Sequence, residues 1–169
     1  MLSFEKEIRF TGSHASKIRE LVSWKFFDSY VEVVPVAAVL GFLNNLKVPA
    51  NSAMSESDAK IQTDQLVRHE SKVNTAFALV TLCSSDSGEN FGDRANEFFR
   101  SIYPTNEQKL LFESYVRGGI DYLHDILVEK TGRDPQKIAL AIRNFCWDVE
   151  SDNSAIGVED ILKLTNPRD

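Results

Sequence analysis

The stretch ESYVRGGIDYLHDIL, residues 113–127, decides which fold this sequence can adopt. Its apolar residues recur at the three- and four-residue spacing of an α-helix, yet Gly118 and Gly119 lie near its middle. A glycine inside a helix costs about 1 kcal/mol relative to alanine, so an adjacent pair needs a compensating role. We predict that the pair lets the helix bend or lets a neighbouring helix pack closely, and that Gly119→Leu destabilises the fold. A phosphate-binding loop is disfavoured, because such a loop follows a strand and opens a helix.

The polar residues after the glycines raise the question of a metal site. Asp121 and His124 are three residues apart, a spacing that places two side chains on one helix face. A metal site in a helical bundle needs a matching pair on another helix, and neither His14 nor His69 supplies one. We therefore predict that Asp121, His124 and Asp125 point to solvent and that the protein binds no metal or other cofactor. Replacing His124 by alanine should then leave stability and function nearly unchanged.

Terminal signals define the helix that carries this stretch and the helix after it. Thr105 followed by Gln108 has the form of a capping box, which opens the first of them, and Gly132 is a C-terminal signal. Asp134 followed by Pro135 then caps the next helix. Together with the apolar spacing elsewhere, these signals predict about six helices: 14–24 (capped by Thr11 or Ser13), 35–45 (beginning near Pro35), a long helix ending near Cys83 with Leu66, Val73, Phe77 and Val80 as its apolar stripe, 91–103, 105 to near Gly132, and 136–149.

The remaining segments have less regular patterns. Residues 7–10 are predicted as a short N-terminal strand or an extended lead-in. Residues 47–62 contain a proline, three serines and no aromatic residue, so we expect an exposed connector there. Residues 150–169 are predicted as a short C-terminal helix and tail. The sequence thus indicates an all-α fold, a single domain over residues 1–169 built as one compact helical bundle.

Composition restricts the compartment. Hydrophobic residues make up 43% of the 169 residues, which is ordinary for a globular domain. The longest uncharged apolar run, residues 33–43, is well short of the roughly 20 residues that span a bilayer, and the N-terminus lacks the apolar region of a signal peptide. Cys83 and Cys146 lie in helical patterns and are predicted to be buried thiols. We expect a cytoplasmic protein with no membrane association.

Neither catalysis nor nucleic-acid binding has a strong signal. No GxSxG elbow is present, and neither cysteine has a basic neighbour in sequence that would favour the thiolate, so we expect a protein that is not an enzyme. The formal net charge of −6 argues against extensive contact with phosphates. A local basic patch is the alternative to a protein-binding role, and its candidate residues are Lys130, Arg133, Lys137 and Arg143. An enzyme with an unrecognised site is the third possibility.

Protein interaction is the function that the sequence favours. The segment at 35–45 is apolar nearly all round, and such a helix is either central to the core or covered by a partner. Its candidate contact residues are Val36, Val39, Leu40, Phe42 and Leu43. Self-association is a further option.

Three segments together resemble a known group of proteins. FTGSHASKIREL, VVPVAAVLGFLNNLK and FESYVRGGIDYLHDIL look like small helical proteins encoded beside larger ATPases or nucleases in prokaryotic defence operons. The resemblance covers most of the chain. It implies an accessory subunit of a multi-protein anti-phage assembly, with a larger ATPase or nuclease subunit as the protein partner, and it supplies no catalytic residue.

Overall fold

The computed structural model describes residues 7–50, 58–84, 90–100, 103–132 and 134–154. Within these ranges the chain is mostly helical, which confirms the predicted all-α class. In chain order the elements are β1 (Ile8–Phe10), α1 (Gly12–Ser23), α2 (Tyr30–Leu43), β2 (Ala59–Ile61), α3 (Thr63–Arg68), α4 (Glu70–Cys83), α5 (Phe91–Arg100), α6 (Asn106–His124), a π-helical turn (Asp125–Glu129) and α7 (Pro135–Ser154). None of the helices described is both long and apolar enough to cross a membrane.

The contact between α2 and α6 is the centre of the fold. A Cβ added to Gly119 would overlap the backbone carbonyl of Ala37 on α2, and a Cβ added to Gly41 on α2 would overlap the carbonyl of Tyr115 on α6. The two helices thus approach each other through a glycine from each side. Since α6 continues unbroken from Asn106 to His124, close packing, and not a break in the helix, accounts for the glycines.

The other glycine of the pair, Gly118, faces the segment that follows α2. The carbonyl of Leu46 occupies the place where its Cβ would be. The amide of Val48 donates to the carbonyl of Ser114 (3.0 Å), and Nε of Arg117 donates to the carbonyl of Val48 (2.8 Å). Burial lowers the pKa of the Arg117 guanidinium below its usual range, although its i,i+4 contact with a glutamate opposes the shift. The chain leaving α2 is therefore fixed along α6 before it turns away.

The remaining helices bury their apolar faces around this pair. Phe112 of α6 packs edge-on against Phe77 of α4, with ring centroids 5.3 Å apart. The predicted stripe of α3 and α4 is fully buried, which confirms its spacing. The largest side chains that are almost completely enclosed are Ile18, Leu21, Val31, Val33, Val34, Ile61, Leu66, Val73, Val80, Val116 and Ile120.

A two-stranded antiparallel sheet joins the N-terminus to the end of the predicted connector. Residues 7–10 do contain the strand β1, and it pairs with β2 so that Ile8 lies opposite Ile61 and Phe10 opposite Ala59. The exposed connector predicted over most of 47–62 does not extend to this end, because Ala59 and Ile61 are buried against the helices. A three-residue strand with a lysine at its centre has too little pattern to be read from sequence. Residues 51–57 of the predicted connector lie outside the described ranges.

Two helix boundaries differ from prediction. The second helix begins at Tyr30, five residues before the proline expected to open it, so Pro35 lies inside α2. Burial of Val31, Val33 and Val34 outweighs the backbone bond that the proline cannot make. The long helix predicted to end near Cys83 is divided at His69 into α3 and α4.

Two other predictions concern exposure and the C-terminus. Cys83 is exposed at the last position of α4, so its predicted burial is wrong, and the side chain of Cys146 lies outside the described part. Helix α7 begins as predicted, with Asp134 accepting from the amides of Gln136 (2.9 Å) and Lys137 (3.4 Å). The predicted C-terminal helix and tail lie outside the described ranges after residue 154.

We predict that Gly119→Ala lowers the free energy of unfolding by about 2 kcal/mol or more, because the added methyl group forces α2 and α6 apart. Urea denaturation followed by circular dichroism measures the change. Gly92→Ala is the control, since a Cβ there meets only the side-chain oxygen of Asn90, at 3.1 Å. The control should stay within about 0.5 kcal/mol of the wild type. Equal stability of the two variants would contradict the close helix contact.

Candidate interaction surface

An apolar groove lies between α2 and α4, on the side of α2 opposite its contact with Gly119 of α6. Its volume is about 600 Å³, and we call it the α2–α4 groove. Two turns of α2 form one side, because residues 36, 39, 40 and 43 share a face of that helix. The ten residues that line it are Pro35, Val36, Val39, Leu40, Leu43, Ser71, Lys72, Thr75, Ala76 and Leu79.

The predicted contact residues of α2 divide between this groove and the core. Val36 is 40% exposed and Leu43 is 60% exposed, whereas Val39 is half-buried and Leu40 is buried at the base of the groove. Phe42 does not line the groove; its ring packs edge-on against Tyr115 of α6, with centroids 5.6 Å apart. Four of the five predicted residues are therefore brought together, and the fifth belongs to the contact with α6.

The α4 side of the groove was not anticipated from sequence. Leu79 is 36% exposed, and it aligns along α4 with Lys72, Thr75 and Ala76. These positions recur at intervals of three and four residues, beside the buried stripe that contains Phe77 and Val80. The available signal was a second face of α4 with Ala76 and Leu79 at helical spacing. Lys72 and Thr75 lie on the same face, so its apolar pattern is weak in the sequence.

The groove continues past one end into a second cavity of about 360 Å³. Pro35, Val36 and Lys72 line both cavities, so they form the junction. Beyond it lie the aromatic rings of Phe26 and Phe27, in the loop between α1 and α2. Charged side chains, namely Lys25, Asp28 and Glu32, surround that end. The surface is thus mainly apolar along α2 and α4, apart from Ser71, Lys72 and Thr75, and becomes charged towards the α1–α2 loop.

A separate polar cluster joins α1 to α6. Asp121 of α6 accepts from the ammonium of Lys17 (2.9 Å), and its other oxygen lies 3.3 Å from Nε2 of His14. His14 is buried, and Asp121 is about one-third exposed. The prediction that Asp121 points freely to solvent is therefore wrong. Its carboxylate holds the first turns of α1 against the last turn of α6.

His124 lies at the end of α6 and is also buried, contrary to prediction. Its Nε2 is 2.9 Å from Glu20 of α1, and its Nδ1 is 3.1 Å from Glu129 in the π-helical turn. The turn supplies the geometry, since residues five apart face each other in a π-helix. Asp125 was also predicted to point to solvent. It is partly exposed, and its carboxylate pairs with the ammonium of Lys130 at 2.6 Å.

The basic residues predicted as a nucleic-acid patch lie on two elements of the described chain, the end of the π-helical turn and α7. The hydrogen bond from Lys130 to Asp125 raises the pKa of that lysine, and the pair is exposed on the turn. Lys137 and Arg143 are exposed on α7, and Arg133 lies outside the described residues. Within the described ranges, no three His, Cys, Asp or Glu side chains converge in a way that could hold a metal ion.

The fold and this surface define a small helical protein with a glycine-packed centre and an open apolar groove. The chain belongs to the family of DNA sulphur modification system-associated protein 4, whose family model matches residues 7–155. This membership confirms the resemblance to small accessory proteins of prokaryotic defence-type operons. It also gives the chain an accessory role in a prokaryotic modification system. No curated protein and no solved structure matches the chain.

The buried position of His124 reverses the expectation for its removal. We predict that His124→Ala lowers the free energy of unfolding by about 1–2 kcal/mol, because the buried ring loses its polar contacts with two half-exposed carboxylates. His69→Ala is the control, because His69 is half-buried between α3 and α4 and makes no capping hydrogen bond. Thermal and urea unfolding of both variants measure the difference. An equal effect of the two substitutions would contradict the bridging role of His124.

Proposed function

We propose that this protein is a non-enzymatic accessory subunit that binds another protein of a DNA sulphur modification system through the α2–α4 groove. The observation that carries this proposal is the groove itself. Val36, Leu43 and Leu79 remain 36–60% exposed on one continuous surface, although each of the helices that carry them also buries a face in the core. A folded domain rarely leaves such a patch open unless another molecule covers it.

Covering the apolar side chains of the groove would contribute favourable free energy to binding. Moving a leucine or valine side chain from water to an apolar contact contributes roughly 1.5–3 kcal/mol when burial is complete. Three partly exposed side chains, with Val39 and Leu40 at the base, therefore form an apolar patch like the apolar core of a protein interface. The helices beneath are fixed by the α2–α6 contact, so binding does not have to order them.

The contacts of His14 and His124 support a role for both side chains in stabilising the fold. His14, Asp121 and His124 each contact an oppositely charged or hydrogen-bonding group on a neighbouring element. They are thus engaged in holding α1, α6 and the π-helical turn together. The resemblance to defence-operon proteins extends the proposal to a cytoplasmic anti-phage assembly, with a larger ATPase or nuclease subunit as the partner.

We predict that Leu43→Lys abolishes co-purification of the partner when the tagged full-length chain is co-expressed with the other proteins of its DNA sulphur modification system. A lysine is compatible with the fold at this position, because Leu43 is the last residue of α2 and a cation there complements the helix dipole. Quantitative mass spectrometry of the purified complex measures the loss.

Leu110→Lys is the matched control, since Leu110 is 58% exposed and lies on α6 outside the groove. This variant should retain the partner at the wild-type ratio. A wild-type chain that recovers none of the co-expressed proteins would contradict the proposed function.

Contact with nucleic acid is the second candidate function. The exposure of Lys137 and Arg143 on α7 supports it, because α7 packs mainly on the π-helical turn and leaves that part of its surface open. The ion pair between Lys130 and Asp125 weakens it, since a paired lysine contributes less to a positive field. This candidate therefore depends on two cations of the described chain.

We predict that the double variant Lys137→Glu/Arg143→Glu loses any affinity for a DNA duplex that the wild type shows in fluorescence anisotropy at low salt. Phosphate contacts weaken steeply as salt rises, so a salt titration of the wild type identifies them. Lys109→Glu is the charge-reversal control, because Lys109 is exposed on α6 and not on α7. Unchanged affinity in the double variant would remove this patch from consideration.

A further inference from the structure

We infer that the occupant of the α2–α4 groove is an amphipathic α-helix of a partner protein, seated with an acidic side chain against Lys72. This inference rests on the proposed function and adds the kind of element that the partner presents. Three features of the groove support it: its sides are helices, its exposed apolar residues extend over two turns of α2, and it contains a single charged residue, Lys72.

Both sides of the groove are helices, so their backbone groups are already paired within each helix. The groove therefore offers no strand edge to which an extended peptide could add. An extended segment lying on these apolar side chains would bury its own amide and carbonyl groups without partners, which costs free energy. A helix satisfies its backbone internally and presents only side chains. An apolar groove between two helices consequently favours a helical ligand.

The spacing of the groove residues fits such a ligand. Val36 and Leu43 are seven residues apart on α2, so the exposed part of that side is two turns, or about 10 Å, long. Residues of a ligand helix at positions i, i+3 or i+4, and i+7 cover the same length with apolar side chains on one face. Leu79 on the opposite side completes the contact for those side chains.

Lys72 is the only charged residue among the ten that line the groove, and no carboxylate of the described chain forms an ion pair with it. It stands at the junction with the second cavity, whose lining also includes the charged residues Lys25, Asp28 and Glu32. An acidic residue at the corresponding end of the ligand helix would pair with this ammonium at the edge of the contact. The same single cation on an otherwise apolar surface disfavours nucleic acid, which requires several phosphate contacts.

Site-specific photo-crosslinking tests the inference. The full-length chain carries p-benzoylphenylalanine in place of Leu43, or of Leu110 as the control, and is co-expressed with the other proteins of its modification system. We expect position 43 to cross-link to a partner segment with the helical apolar spacing and an acidic residue beside it. We expect position 110 to give no cross-link to that segment. Peptide mass spectrometry identifies the cross-linked residues.

Charge reversal supplies the second measurement. Lys72→Glu should weaken binding of the mapped segment, tested as a synthetic peptide, by about fivefold, and a lysine replacing the acidic residue of the peptide should restore it. The variant should fold normally, since Lys72 is the third residue of α4, where an acidic side chain favours the helix.

Several outcomes would overturn the inference. They are a cross-link from position 43 to a second copy of this chain, to its own C-terminal residues, or to a partner segment without helical spacing. Another is an affinity of the Lys72→Glu variant for the mapped peptide equal to that of the wild type. A partner that co-purifies but cross-links only at other positions would overturn the groove assignment while leaving an accessory, protein-binding role intact. Failure to recover any co-expressed protein would instead remove the proposed function itself.

Discussion

The close approach of α2 and α6 is the constraint on which the rest of the structure depends. Gly41 and Gly119 remove two Cβ atoms at the contact, so that a backbone carbonyl of each helix occupies the space beside the glycine of the other. Such contacts allow weak Cα–H···O interactions and many van der Waals contacts over a short length. They also tolerate no added atom, because the obstructing groups are backbone and cannot rotate away. The cost of three glycines in helices is offset by this packing.

The position of α2 against α6 determines where the groove can be. Because α2 faces α6 with Ala37 and Gly41, its opposite face carries Val36, Val39 and Leu43 towards α4 and solvent. A helix that is apolar nearly all round thus serves two surfaces, one inside the domain and one outside it. The polar contacts of His14 with Asp121 and of His124 with Glu20 fix α1 on another face of α6, away from the groove. The packing and the proposed binding surface therefore follow from the same helix.

Much of the fold could be predicted from local signals. The capping box at Thr105 and Gln108 is present in full, and the cap at Asp134 opens α7 as predicted. The cost of the glycine pair in a helix predicted either a bend or close packing, and the structure shows close packing in an unbroken helix. The short strand β2 was missed since its pairing with β1 is a long-range contact. Pro35 misplaced the start of α2, because burial of the valines before it outweighs the usual preference of proline for the first turn.

The site was less predictable than the fold, for a physical reason. Whether an apolar residue of α2 lies in the core or in a groove depends on which helices pack beside it, and one sequence does not show that. The histidines give the clearest example: the partners of His124 are Glu20 on another helix and Glu129 across a π-helical turn. Neither contact has a signature at helical spacing, so His124 was wrongly assigned to a solvated face.

The central claim is that α2 and α6 form one cooperative unit, and native-state hydrogen exchange tests it most directly. In the wild type, the slowest amides of both helices should exchange with the same free energy, equal to that of global unfolding. Substituting alanine at Gly41 should lower the protection of both helices by the same amount. The account would be contradicted if α6 kept its protection while α2 alone became labile.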